Sequence, residues 1–160
     1  MSEKGRNTVN HILYTVIQWS WGIVQNCMAC LLLLFLFVTG KIKRTGYYHG
    51  AVMVDWDKSS SMGLGMFIFF GHHMQESTYA KKVKVHEYGH TIQSCILGPL
   101  FLPVIGIPSF VWAFFPAFRK MRKEKGYSYF DFYPEAWANY EGERVLHRKS
   151  PGNSRGDQQR

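Results

Sequence analysis

The sequence predicts a mostly α-helical fold with a small β-sheet, one N-terminal transmembrane helix and a proline-broken membrane-associated segment. Three observations carry this expectation. No charged side chain occurs between Ile12 and Gly40. A second uncharged run, Thr91 to Phe118, is interrupted by Pro99, Pro103, Pro108 and Pro116. Between and after these runs stand HEYGH, residues 86–90, and PEAWAN, residues 134–139, each in a stretch patterned as helix.

The chain has 160 residues, enough for one modest domain. Lysine and arginine total 19 against 11 acids, a formal net charge of +8. Such a balance suits an anionic membrane face or nucleic acid. No basic helix interleaved with stacking aromatics stands out, so a lipid bilayer is the expected partner and nucleic acid is not. Cys27, Cys30 and Cys95 form no disulfide framework. The CxxC of Cys27 and Cys30 lies inside an apolar run and reads as packing.

Residues 1–44 are expected to be a short polar tail and a membrane anchor. A span needs about 20 predominantly apolar residues, which Trp21 to Thr39 supplies. Trp19 and Trp21 would suit one interface and Lys41, Lys43 and Arg44 the other. A cleaved signal peptide fits less well, because the region before the leucine run is long and contains tryptophan.

Residues 45–149 are expected to form the functional domain, with a membrane-associated segment over 97–118. Gly50 to Trp56 has strand character, and Met62 to Gly71 reads as a buried strand flanked by glycines. A helix is expected from about Ala80 to Leu97, ended by Gly98-Pro99. Pro134 opens the last helix, and residues 150–160 are expected to be disordered.

On a helix, residues i and i+4 share a face, so His86 and His90 can aim ring nitrogens at one ion. Glu87 is rotated by about 100° from His86, placed to reach a water rather than the metal. Gly89 costs helix stability by up to about 1 kcal/mol relative to alanine, which suggests a close approach there. The ordinary alternative is a helix with two satisfied histidines, so a third ligand matters. Glu135, at a helix start, is the candidate. Its ordinary role would be pairing with the helix dipole. Asn139, one turn on, could orient a ligand histidine through its amide oxygen.

HEYGHTIQS, LGPLFLPVIGIPS and FYPEAWAN, in that order, resemble a family of small bacterial HExxH zinc metallopeptidases. The family occurs as short membrane proteins and as C-terminal toxin-like domains of RHS-type polymorphic proteins. The resemblance covers roughly residues 60–142. It implies zincin-like helices, with Zn2+ held by His86, His90 and Glu135 and with Glu87 as catalytic base. It further implies that Gly63 to Phe70 is an edge strand able to pair with an extended peptide. It supplies no substrate.

His72 and His73 read as loop residues, and His147 lies about 18 Å past Glu135 along one helix, too far for the same ion. A single crossing by Thr91 to Phe118 would put His90 and Glu135 on opposite sides of a membrane. The three-ligand site therefore requires that segment to turn back. The basic clusters Lys41–Arg44 and Arg119–Lys125 then share a side, which places the site on the cytoplasmic face of a bacterial inner membrane.

The expected function is a membrane-anchored zinc-dependent hydrolase, a metallopeptidase acting on an unspecified peptide or protein. Tyr127 and Tyr129 are candidates for stabilising developing negative charge. The alternatives are a catalytically silent adaptor or immunity-type membrane protein with a structural HExxH, and a toxin-like effector peptidase.

Overall fold

The computed structural model describes the backbone of residues 3–74 and 77–152. Two helices, α1 (Glu3–Ser20) and α2 (Ile23–Val38), precede four strands, β1 (Ile42–Tyr48), β2 (Ala51–Trp56), β3 (Met62–Leu64) and β4 (Phe67–Gly71). Helix α3 (Thr78–Leu97) carries HEYGH, and α4 (Ile107–Phe114), α5 (Pro116–Lys125) and α6 (Tyr133–Leu146) follow. The architecture is mostly helical with a small mixed sheet, as the sequence predicts.

The sheet order is β1-β2-β4-β3. β1 and β2 pair antiparallel, β2 and β4 parallel, and β4 and β3 antiparallel. The single strand expected over Met62 to Gly71 is two strands, because Gly65 adopts φ +58° and reverses the chain. Of this stretch only Met62–Leu64 lies at a sheet edge, and β4 is interior, so the expected edge strand Gly63 to Phe70 is shorter than the sequence suggests. Lys43 and Arg44 lie in β1, a strand that the sequence reading did not assign.

The stretch expected as the membrane anchor, Trp21 to Thr39, falls on α2, Ile23–Val38. The chain bends by 88° between α1 and α2, and no described helix alone is long and apolar enough to cross a membrane. At 1.5 Å per residue, the 16 residues of α2 reach about 24 Å, short of a hydrocarbon core of about 30 Å. Gln18, Gln25 and Asn26 are fully buried. Gln18 Nε2 donates to the carbonyls of Gly65 and Thr91, and Gln25 Nε2 donates to Ser94 Oγ and the Gly98 carbonyl. Asn26 Oδ1 accepts the Met66 N–H. These amides tie α1 and α2 to α3 and to the β3–β4 turn, so the N-terminal segment packs as part of the fold.

The second uncharged run turns back, as the three-ligand reading requires. After Gly98 the chain tightens into a 3-10 turn and then a π-type turn over Leu102–Gly106. The path from α3 into α4 bends by 120°. Prolines at 99, 103 and 108 interrupt the regular backbone hydrogen bonds here.

Helices α3 and α6 cross in close contact. A Cβ on Gly89 would run into the Ala138 carbonyl, and one on Gly142 would run into the Val85 carbonyl. Two glycines thus let the backbones approach where side chains would hold them apart. The boundary expected at residue 150 also moves. Ser150 is buried and bonded to Glu143, and the Pro151 carbonyl accepts Asn139 Nδ2. The rest of the expected disordered tail, 153–160, lies outside the described residues.

Candidate metal centre

Ser77 caps α3 through its side chain, accepting from the Ala80 N–H, and fixes where the helix begins. Nine residues on, His86 and His90 project from one face, their ring centroids 4.8 Å apart. Glu135 enters from the first turn of α6, the helix seated against Gly89. One ligand atom from each of His86, His90 and Glu135 lies within 4.8 Å of the others, and all three residues are buried. This buried group could hold a metal ion.

The hydrogen bonds around it fix the histidine tautomers. Asn139 donates its amide N–H to Pro151, which turns its Oδ1 toward His86 Nδ1 at 2.8 Å. Gln93 donates to the Pro134 carbonyl, which turns its Oε1 toward His90 Nδ1 at 2.7 Å. Both rings must donate from Nδ1, so in the neutral state both Nε2 atoms carry lone pairs. These lone pairs face Glu135 Oε2 at 3.0 Å and 3.4 Å. That oxygen is buried without a hydrogen-bond partner. With both rings neutral, three acceptors converge with no donor among them, an arrangement that fits a cation, metal or proton, and is costly without one. The other carboxylate oxygen, Oε1, accepts Ser109 Oγ at 2.5 Å.

Without a metal, a proton takes the cation's place. Burial alone would lower the pKa of His90, but the hydrogen bond and charge of Glu135 raise it to about 9. Burial would likewise raise Glu135, but its bonds to His86 and His90 hold it well below the usual carboxylate range. Glu87 is pushed up, chiefly by burial. A raised carboxylate beside the cluster is better able to accept a proton near neutrality than an exposed one.

Of the two tyrosines, Tyr129 lies at the site. Its hydroxyl is raised above its ordinary pKa first by burial and then by the charges of Glu135 and Glu87. Tyr127 is 52 % exposed, with no contact to the cluster among the described interactions. The other histidines stay apart. His73 pairs with Asp57 at 3.2 Å, and His147 caps the far end of α6. Sequence reasoning missed Gln93 and Ser109. Gln93 lies three residues after His90, one helical turn away, and that spacing was a readable signal. Ser109 is brought in only by the fold-back of α4.

Comparison with protein-family models, with curated proteins and with solved structures finds no match to this chain.

Proposed function

We propose that the protein is a zinc-dependent hydrolase of the peptidase class that works at a membrane. The observation that carries the metal reading is the convergence of His86 Nε2, His90 Nε2 and Glu135 Oε2, three buried atoms that are all acceptors when both rings are neutral. Two imidazoles and one carboxylate, each oriented by a further hydrogen bond, are the donor set of catalytic zinc sites that leave one position open. When bound there, zinc supplies Lewis acidity, which brings the pKa of a water to about 7.

The chain's own residues do the rest. Glu87, buried and raised, takes the proton of the attacking water and returns it to the leaving group. Asn139 and Gln93 hold the rings in register, and Ser109 fixes the carboxylate. The Tyr129 hydroxyl faces Glu135 and Glu87, placed to donate to negative charge that develops on a substrate.

A peptide is favoured as substrate by the sequence resemblance and by β3. This short edge strand packs so closely on α3 that a Cβ on Gly63 would lie 2.9 Å from His90 Cβ. The test is hydrolysis of a mixed peptide pool by the zinc-loaded protein and by its Glu87→Gln variant. Cleavage by the first alone supports the reading, and equal behaviour of the two refutes it.

A further inference from the structure

The metal cluster and its base are shut off from solvent: none of His86, Glu87, His90 and Glu135 is more than 7 % exposed. The cover comes from α4, α5 and the turn after them. Ser109 on α4 bonds to Glu135 itself. Trp112, also on α4, stacks on Phe132 at 4.7 Å and donates its indole N–H to the Tyr129 carbonyl. Arg122 on α5 lies over the rings of Trp112 and Tyr129 and donates to the Trp112 carbonyl. Phe130, in the turn, presses edge-on against His86 with centroids 5.1 Å apart. The inner face of the hairpin therefore clamps the turn over the ligands.

The outer face is of opposite character. Ile107, Phe110 and Phe114, at positions i, i+3 and i+7, are 60 %, 63 % and 60 % exposed. The rings of Phe110 and Phe114 lie 4.9 Å apart and form an aromatic ridge. Helix α5 follows directly, with five cations to one acid, and Arg119, Lys120, Lys123 and Lys125 are exposed. An apolar ridge beside clustered cations is complementary to an anionic bilayer surface. The aromatics enter the acyl boundary and the cations meet headgroup phosphates.

We propose that the α4–α5 hairpin is a lid that docks on an anionic lipid surface and thereby uncovers the cluster. The proposal rests on the metal-site reading above and adds the partner and the regulation of that site. The coupling is geometric, because Phe110 and Phe114 share one eight-residue helix with Ser109 and Trp112. A bound surface shifts an equilibrium only by its preference for one state. Lifting the hairpin exposes the Trp112 indole, which lipid accommodates better than water does, so lipid favours the open form.

The experiment uses the full chain, stripped of metal by chelator, on phosphatidylcholine vesicles with or without phosphatidylglycerol. Carbethoxylation of each histidine by diethyl pyrocarbonate is followed by peptide mass spectrometry. On phosphatidylglycerol, His86 and His90 are expected to label about tenfold faster, while the exposed His72 and His73 label equally on both. Phe110→Asp with Phe114→Asp, at exposed positions, abolishes the acceleration, and so does Lys120→Glu with Lys123→Glu. Equal labelling of His86 and His90 on both vesicles, or acceleration undiminished in the Phe110→Asp, Phe114→Asp variant, overturns the proposal. The readout needs no metal. A chain that opens on phosphatidylglycerol yet binds no zinc would support the lid and sink the metal reading alone.

Discussion

His86 Nε2 lies 3.0 Å from Glu135 Oε2, and neither atom has a proton to offer the other in the neutral tautomer that Asn139 imposes. Gln93 places His90 in the same position at 3.4 Å. The conflict is built by groups outside the cluster, the carbonyls of Pro134 and Pro151, which decide which way the two amides point. A helix bearing two ordinary satisfied histidines would not need this orientation. A metal site does.

The metal-free protein should lose stability as pH rises. His90 has a folded pKa of about 9, above its unfolded value of about 6.5. Its contribution is therefore full below about pH 6.5 and lost as pH climbs through 9. Glu87, raised by burial, acts in the same direction. Thermal unfolding of chelator-treated protein should show a midpoint that falls between pH 6.5 and 9. Zinc should remove the His90 part of this decline, because the metal replaces the proton on His90. A metal-free midpoint that is flat over this range would contradict the geometry.

Asn139→Ala and Gln93→Ala should each weaken zinc affinity by about 10- to 100-fold while leaving the ligands in place. Competition with a chromophoric chelator measures this. Unchanged affinity in both variants would mean that the amides pack without orienting.

Glu87→Gln should keep zinc stoichiometry and fold while losing hydrolysis by about 100-fold or more, the scale of one general base. Zinc content and peptide cleavage, measured on the same preparation, separate this from a structural defect. Loss of zinc in Glu87→Gln would move Glu87 into the ligand set.

Gly89→Ala should destabilise the fold by about 1–3 kcal/mol or more, since the added methyl meets the Ala138 backbone and not a movable side chain. Denaturant unfolding reads the loss, and wild-type stability in this variant would refute the tight α3–α6 crossing. Zinc affinity should fall with it, because that crossing delivers Glu135 to the histidines.

The sequence made the cluster legible because its chemistry is local. HEYGH puts two histidines on one face by helical spacing alone, and Pro134 announces the helix whose first turn holds Glu135. The fold-back of the second uncharged run was legible through its prolines and through the demand that His90 and Glu135 meet. What escaped was long-range. The amides of Gln18, Gln25 and Asn26 look tolerable in an apolar run, and only their partners on α3 and the β3–β4 turn show that α2 is docked. Their spacing, i, i+7 and i+8, was a signal that one face of this run seeks hydrogen bonds. Strand β1 escaped because its lysine and arginine read as interfacial cations. Ser109 escaped because nothing in GIPS points to a residue 26 positions later.

The most direct measurement is bound zinc per chain in protein purified without chelator, for wild type, His90→Ala and Glu135→Ala. One zinc in wild type and a large loss in both variants are expected. Absence of zinc from wild type, or zinc undiminished in Glu135→Ala, would contradict the three-ligand site.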